Sequence, residues 1–281
     1  MRVLLLFAVA ACGSDDVTSQ PDATGCALPV LDAPWLETSL STWVGRLATA
    51  PRATFEQRAA ARGYLVDELQ HIGWTPQEQV YPTGSNIYAV IPAHAGSGKP
   101  IVVGAHFDTV MSSPGANDNA SGTAVVLAIA RYLRDTPCRT APVIVAFFDQ
   151  EEVGLFGARA FAMMLDPAQT RSVHTIDQVA YDGDRDKRYE LEQPTPALQA
   201  AYVTAAATIG VTVTATSTGG TDHVAFRDRG FAAIGLTEEY AGGDTSPFRH
   251  LATDTPVTVD TPYLVDAAKL TAHVILGEAT Q

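Results

Sequence analysis

Apolar positions along this chain recur at two periods. Over Phe55–Ile72, the residues Ala59, Tyr64, Leu65, Val66, Leu69 and Ile72 fall at helical spacing, and Gly73 follows as a stop. The whole of 35–72 reads as helical. Asn86–Ile91 and Ile101–His106 read as strands, with a turn at His94–Lys99 between them. Asn119–Arg134 reads as a helix. Val143–Phe148 (VIVAFF) is a short unbroken apolar run, the pattern of a strand buried on both faces. Helix returns at Gly154–Leu165 and Ala197–Ile209, and strand at Ile176–Tyr181, Val211–Ala215 and Ala232–Leu236. Tyr263–Leu276 reads as a closing helix. Strands alternating with helices predict an α/β fold around a largely parallel central sheet. No internal repeat or linker divides residues 35–281, so a single domain is expected there.

The first residues break this pattern. Met1–Ala11 carries one basic residue, Arg2, then an apolar run that ends in small residues before Cys12. That is the layout of a short secretory signal, and Val3–Ala11 falls far below the ~20 residues that span a bilayer. Val9-Ala10-Ala11-Cys12 resembles the bacterial lipoprotein box, which implies lipidation of Cys12 and attachment to the membrane of the cell envelope. Gly13 stands where an Asp commonly retains lipoproteins at the inner membrane, so the outer membrane is expected. Without lipidation the protein would be periplasmic or secreted. Residues 12–34 read as the attachment Cys and a flexible tether. Cys26 and Cys138 are left as a candidate disulfide in an oxidising compartment.

Composition narrows the chemistry. Hydrophobic residues make up 46% of the 281, enough for a sizeable core. Lys and Arg number 18 against 31 Asp and Glu, a net charge of -13, so no nucleic-acid partner is expected. Most of that excess reads as solubility, and a part as carboxylates gathered to hold cations. The chain has no GxSxG, HExxH, Walker loop, GxGxxG or CxxC spacing. Its polar residues cluster instead at predicted strand ends, where sites form in open α/β sheets. His106 and Asp108 end one strand, while Asp149, Glu151 and Glu152 follow VIVAFF. Asp118 lies in a loop before a helix, and Asp177 lies in Ile176–Tyr181. Gathered carboxylates repel unless protonated or bound to cations, and His beside Asp and Glu suits zinc. A bridging carboxylate would allow two metals ~3.5–4 Å apart.

Gly104–Val110 (GAHFDTV), Gly115–Ala124 (GANDNASGTA) and Phe147–Ala158 (FFDQEEVGLFGA) resemble the zinc aminopeptidase family. That family of co-catalytic dizinc exopeptidases also includes glutamate carboxypeptidases and glutaminyl cyclases. The likeness continues through Thr175–Asp182, Thr221–Gly235 and Phe248–Thr255. It implies a three-layer sandwich in which helices flank a central mixed, largely parallel sheet. It implies His106 and Asp177 as ligands of one metal, Glu152 and His250 as ligands of the other, and Asp118 as the bridge. Glu151 would be the general base, and Asp108 would orient His106. A cis peptide at Asp118–Asn119 belongs to the same pattern. The implied cofactor is two Zn2+ per chain, with Co2+ or Mn2+ as substitutes. The implied substrates are peptides with a free N-terminus, cleaved at the first bond by a dizinc-activated water.

One position departs from the family. Arg249 stands before His250, where many of these aminopeptidases have a Tyr that stabilises the oxyanion. Arg249 could fill that role or bind a substrate carboxylate, or Tyr240 could take it over. A carboxypeptidase or glutaminyl-cyclase-like member therefore stays open, as does a non-catalytic surface binding module. Asp222 and His223 fall near the substrate cleft without reading as ligands. Asp254 either orients His250 or caps a turn. His71, His94, His174 and His273 read as surface or packing residues.

Overall fold

Every residue of the strand Ile101–His106 is buried, and successive side chains serve two different cores. Ile101, Val103 and Ala105 belong to the larger core and Val102 to the smaller one. This two-sided burial is what the apolar runs of the sequence predict, and it sets the three layers. The computed structural model describes residues 29–281; Cys12, Cys26 and the signal-like segment lie outside the described residues. Cys138 is disulfide-bonded.

Among the described residues, eight strands form one sheet. They are β1 Gln77–Tyr81, β2 Gly84–Ile91, β3 Ile101–His106, β4 Val143–Phe148, β5 Ser172–Ile176, β6 Arg188–Glu192, β7 Thr212–Thr216 and β8 Ala233–Thr237. Their order is β1-β2-β4-β3-β5-β8-β6-β7. The central four, β4-β3-β5-β8, run parallel. The β1–β2 hairpin is antiparallel to β4 on one side, and the parallel pair β6–β7 is antiparallel to β8 on the other. The sheet is thus mixed, with a parallel centre, as expected. Helices α1 Leu36–Leu47, α2 Phe55–Ile72, α3 Gly122–Arg134, α5 Pro196–Ile209 and α7 Thr261–Thr280 bury their apolar faces in the larger core. Helices α4 Phe156–Met164 and α6 His223–Arg227 cover the opposite face, where Phe148, Phe161 and Phe226 meet edge-on or tilted.

Four of the differences from the sequence reading have a local reason. Helix does not run unbroken over 35–72. Pro51 lies in the break, and Thr54 restarts the chain with a capping box, exchanging hydrogen bonds with Gln57. Gly73, at φ 109°, ends α2 as expected. The strand expected at Ile176–Tyr181 lies earlier, at Ser172–Ile176. Its buried His174 is satisfied by Tyr202 and Ser172, while Gln178 at φ 48° turns the chain out of the sheet. Strand β6 was hidden by its charges. Glu190 is buried and accepts from the Ala241 and Gly242 N–H groups at 2.8 and 2.6 Å. Finally, Leu31 and Ala33, within the expected tether, pack against the larger core, and the Leu31 carbonyl accepts from the Tyr132 hydroxyl at 2.5 Å.

Arg52, in the break between α1 and α2, ties the first helices to the loops beyond β3. Its guanidinium is buried and donates to the carbonyls of Phe107, Pro114, Leu47 and Gly115 at 2.5, 2.6, 2.7 and 2.9 Å. Its backbone N–H donates to Thr109 Oγ1 at 2.8 Å. Burial lowers its pKa to about 10 against the pull of Asp108 and Asp118, still far above neutrality. Replacing Arg52 with Met strands four carbonyls, each costing roughly 1–3 kcal/mol before relaxation. Arg52→Met is expected to lower unfolding stability by about 3 kcal/mol or more in urea titration, and Arg52→Lys by a smaller amount.

Candidate metal centre

The parallel strands deliver their last residues to one edge of the sheet. His106 ends β3, Asp177 follows β5 directly, and Glu151 and Glu152 follow β4 within four residues. Asp118 comes from the wide turn Ala116–Ser121 that leads into α3, and the Asp118–Asn119 peptide is cis. His250 arrives from the loop beyond β8 at φ 61°. All five expected ligands and Glu151 converge. His106 Nε2 lies 3.3 Å from Asp177 Oδ1, 3.5 Å from Asp118 Oδ1 and 4.0 Å from Glu151 Oε2. His250 Nε2 lies 3.1 Å from Asp118 Oδ2 and 3.1 Å from Glu152 Oε2. The two oxygens of Asp118 therefore face two different histidines.

Asp108 organises this edge. Its Oδ1 accepts from the Glu151 N–H at 2.9 Å and its Oδ2 from the Glu152 N–H at 3.2 Å. Oδ1 also sits 3.5 Å from His106 Nδ1. The residue expected to orient one histidine thus also fixes the backbone of the adjacent glutamates. Two positions carry more than the sequence revealed. Asp254 clamps the wide turn by accepting from the Asn117 and Asp118 N–H groups at 2.8 and 3.1 Å. Glu238 is fully buried, accepts from Asn117 Nδ2 at 2.8 Å and from the Ser246 N–H at 2.8 Å, and so ties that turn to the loop bearing His250. Asp254 was marked by its spacing from His250; nothing in the sequence singled out Glu238.

Other candidates fall elsewhere. Asp149 turns away from the edge and pairs with Arg58 at 2.7 Å and Arg62 at 3.0 Å. Arg249 lines the cavity beside the cluster, with Nε 3.6 Å from Asp118 Oδ2. Tyr240 lines the same cavity, its ring centroid 5.6 Å from the Arg249 guanidinium carbon.

The electrostatics are those of an uncompensated acidic cluster. Burial, with Asp177, Asp222 and Asp108 nearby, pushes Glu151 up to about 10 despite His106. Burial and Asp118 push Glu152 up to about 7, and burial with Asp177 and Asp108 pushes Asp222 up to about 8. Burial also raises Asp177. Asp118 is the exception. Burial works against its charge, but His250, His106 and Arg249 outweigh burial and hold its pKa below the usual value. Asp118 Oδ2, Glu152 Oε1 and His250 Nε2 are buried without a well-aligned hydrogen bond. Two groups of ligand atoms each lie within 4.8 Å of one another: His106, Glu151 and Asp177, and Asp118, Glu152 and His250. Oxygen and imidazole nitrogen donors in this arrangement fit zinc, and unpaired buried donors are what a bound cation would satisfy.

The sequence pattern of peptidase family M28 matches residues 86–275, a span that takes in all six of these groups. The chain belongs to peptidase family M28. Aminopeptidase YwaD of Bacillus subtilis is 36% identical over 139 residues, which are 46% of this chain and 30% of that relative. The M28 chain therefore spans less than a third of that relative's length. Among solved structures, the LapA aminopeptidase of Legionella pneumophila superposes with a TM-score of 0.79 at 19% identity, covering 87% of this chain and 72% of the other. The glutaminyl cyclase of Porphyromonas gingivalis gives 0.74 at 20% identity, covering 86% and 98%. Both share the M28 chain's fold.

A carboxyl group whose folded pKa is raised holds its proton more tightly in the fold than in the unfolded chain. Its contribution is complete below the ordinary carboxylate range and is lost as pH rises through the folded value. The metal-free protein should therefore lose stability between about pH 5 and pH 8 as Glu152 and Asp222 ionise. Zinc should reverse this loss. Thermal unfolding with saturating zinc is expected to show a larger rise in Tm at pH 7.5 than at pH 5.5. A Tm that ignores zinc at both pH values would remove the metal centre.

Proposed function

We propose that this chain is an exported, dizinc aminopeptidase. The observation that carries the reading is Asp118: a buried carboxylate whose two oxygens address two histidines, each backed by its own acidic partner. His106 and Asp177 would hold one zinc, Glu152 and His250 the other, and Asp118 both. Bound there, two zinc ions would polarise the scissile carbonyl and make a water nucleophilic at neutral pH.

The chain's own residues supply the rest. Glu151, which the family resemblance leaves without a metal, lines the cavity next to the expected ligands. As general base, it takes the proton of the attacking water on its carboxylate and passes it to the departing amine. Burial raises Glu151 and the neighbouring carboxylates add to it; cations held by those neighbours would offset the second contribution and bring its pKa toward the range a base needs. Asp108 fixes the backbone of Glu151 and Glu152 by accepting from both N–H groups. The carboxylates at the metal end of the cavity pair with the α-amine of a peptide, which limits cleavage to the N-terminal bond. Arg249, stacked over Tyr240, is the cation available to charge developing on the carbonyl oxygen. Cys12 and the apolar run before it support export with a lipid anchor. Among the described residues, no helix is long and apolar enough to cross a membrane.

The zinc-loaded protein should release N-terminal residues from aminoacyl anilides and lose that activity in chelator. Glu151→Ala should lower kcat by ~10²–10⁴ while still binding zinc. Conversion of N-terminal Gln peptides to the cyclised product, with no anilide hydrolysis, would replace this reading with the cyclase one.

A further inference from the structure

The cavity beside the metal centre has a volume of about 110 Å³, and no aliphatic side chain lines it. Apart from the ligands and Glu151, its wall is built from Gln178, Glu192, Thr218, Thr221 and Thr237, with Tyr240 and Arg249 to one side. Glu192 is only 2% exposed. Thr221 Oγ1 donates to its Oε2 at 2.8 Å, and His223 Nδ1 lies 3.2 Å from the same oxygen. Both partners use Oε2, so Oε1 is left for a ligand. Gln178 is 5% exposed, and its Oε1 has no hydrogen-bond partner. Gly235 makes the arrangement possible. A Cβ at that position would lie 2.5 Å from Glu192 Oε2 and 2.9 Å from His223 Nδ1.

The pocket therefore offers a carboxylate and an unpaired amide oxygen, both acceptors and both desolvated. An apolar side chain entering it would leave those acceptors buried and unpaired. A side chain ending in N–H donors and positive charge would satisfy both. We propose that this cavity receives the side chain of the substrate's N-terminal residue and selects a cationic one, Lys or Arg, with Glu192 and Gln178 as the specificity-determining acceptors. The proposal rests on the aminopeptidase reading for what is cleaved, but the preference is a property of the pocket alone.

The test separates the two. Calorimetry on the zinc-loaded protein compares L-lysinamide with L-norleucinamide, which differ by the terminal ammonium. Lysinamide is expected to bind ~10–100-fold more tightly, the worth of hydrogen bonds to a charged group. Glu192→Gln should bring the two within about threefold, with the fold checked by circular dichroism. Gln178→Met, which leaves Glu192 and its partners in place, should shrink the difference by a smaller factor. Equal or tighter binding of norleucinamide by the unaltered protein, a difference that survives Glu192→Gln, or no binding of either amide would overturn the proposal. Hydrolysis of leucyl anilides without a lysyl or arginyl preference overturns the pocket and leaves the aminopeptidase reading standing. Lysine-selective binding without any hydrolysis does the reverse.

Discussion

Everything at the functional edge follows from one electrostatic constraint: several carboxylates are buried within a few ångströms of one another. Left alone, such groups hold on to protons, as the raised values of Glu151, Glu152 and Asp222 show. Asp118 escapes, because two imidazoles and a guanidinium surround it. The fold spends a set of uncommon contacts to keep the cluster assembled against that repulsion. Asp254 clamps the turn that carries Asp118, Glu238 ties that turn to the His250 loop, and Arg52 pins the loops after β3 to the first helices. Apart from the Glu238–Asn117 side-chain bond these contacts are backbone-directed, and they fix where the carboxylates are without neutralising them. A cation remains the natural counter-charge.

The sheet explains why such a cluster can form here. Four parallel strands end at the same edge, and their apolar runs anchor them on both faces. Polar residues placed after those runs are delivered to that shared edge, unless, like Asp149, they meet partners elsewhere. The chain's own backbone then separates their directions. Gln150 at φ 64° and Leu155 at φ 58° bend the segment after β4 twice in six residues. Glu151 consequently groups with His106 and Asp177, while its neighbour Glu152 groups with Asp118 and His250. Two adjacent identical residues thus acquire different surroundings on a segment whose backbone Asp108 holds in place.

This distinction marks the boundary of what the sequence could disclose. The sheet's central strands were legible because VIVAFF and IVVGAH are too apolar to be anything but buried. The ligand candidates were legible because they sit directly after those runs. Strand β6 was not, since its glutamates look solvent-facing until the Ala241 and Gly242 N–H groups are seen to receive one of them. Asp177 was assigned to the interior of a strand because VAY looks more strand-like than the SVHTI that forms β5. A buried, fully partnered histidine in that strand masked it. Glu238 was invisible for a related reason: its importance lies in long-range partners that no local pattern encodes. Asp149 shows the converse, a carboxylate in the right stretch whose partners, Arg58 and Arg62, come from a distant helix and turn it away.

The pocket wall shows the same logic applied to specificity. Its character does not come from a motif but from one missing side chain at Gly235, which lets Glu192 and His223 lie against β8 beneath the cavity. The residues that hold a metal are constrained by the metal's own demands and therefore recur in recognisable order. A pocket wall is constrained only by the side chain it meets, so it is assembled from whatever the neighbouring strands and loops supply. Here β6 supplies a glutamate, and the residue after Asp177 supplies an unpaired amide oxygen. The same low dielectric that makes the carboxylate cluster demand a cation makes these two acceptors demand a donor. The carboxylate cluster and the cavity wall thus share one condition, buried oxygen atoms without enough hydrogen-bond donors.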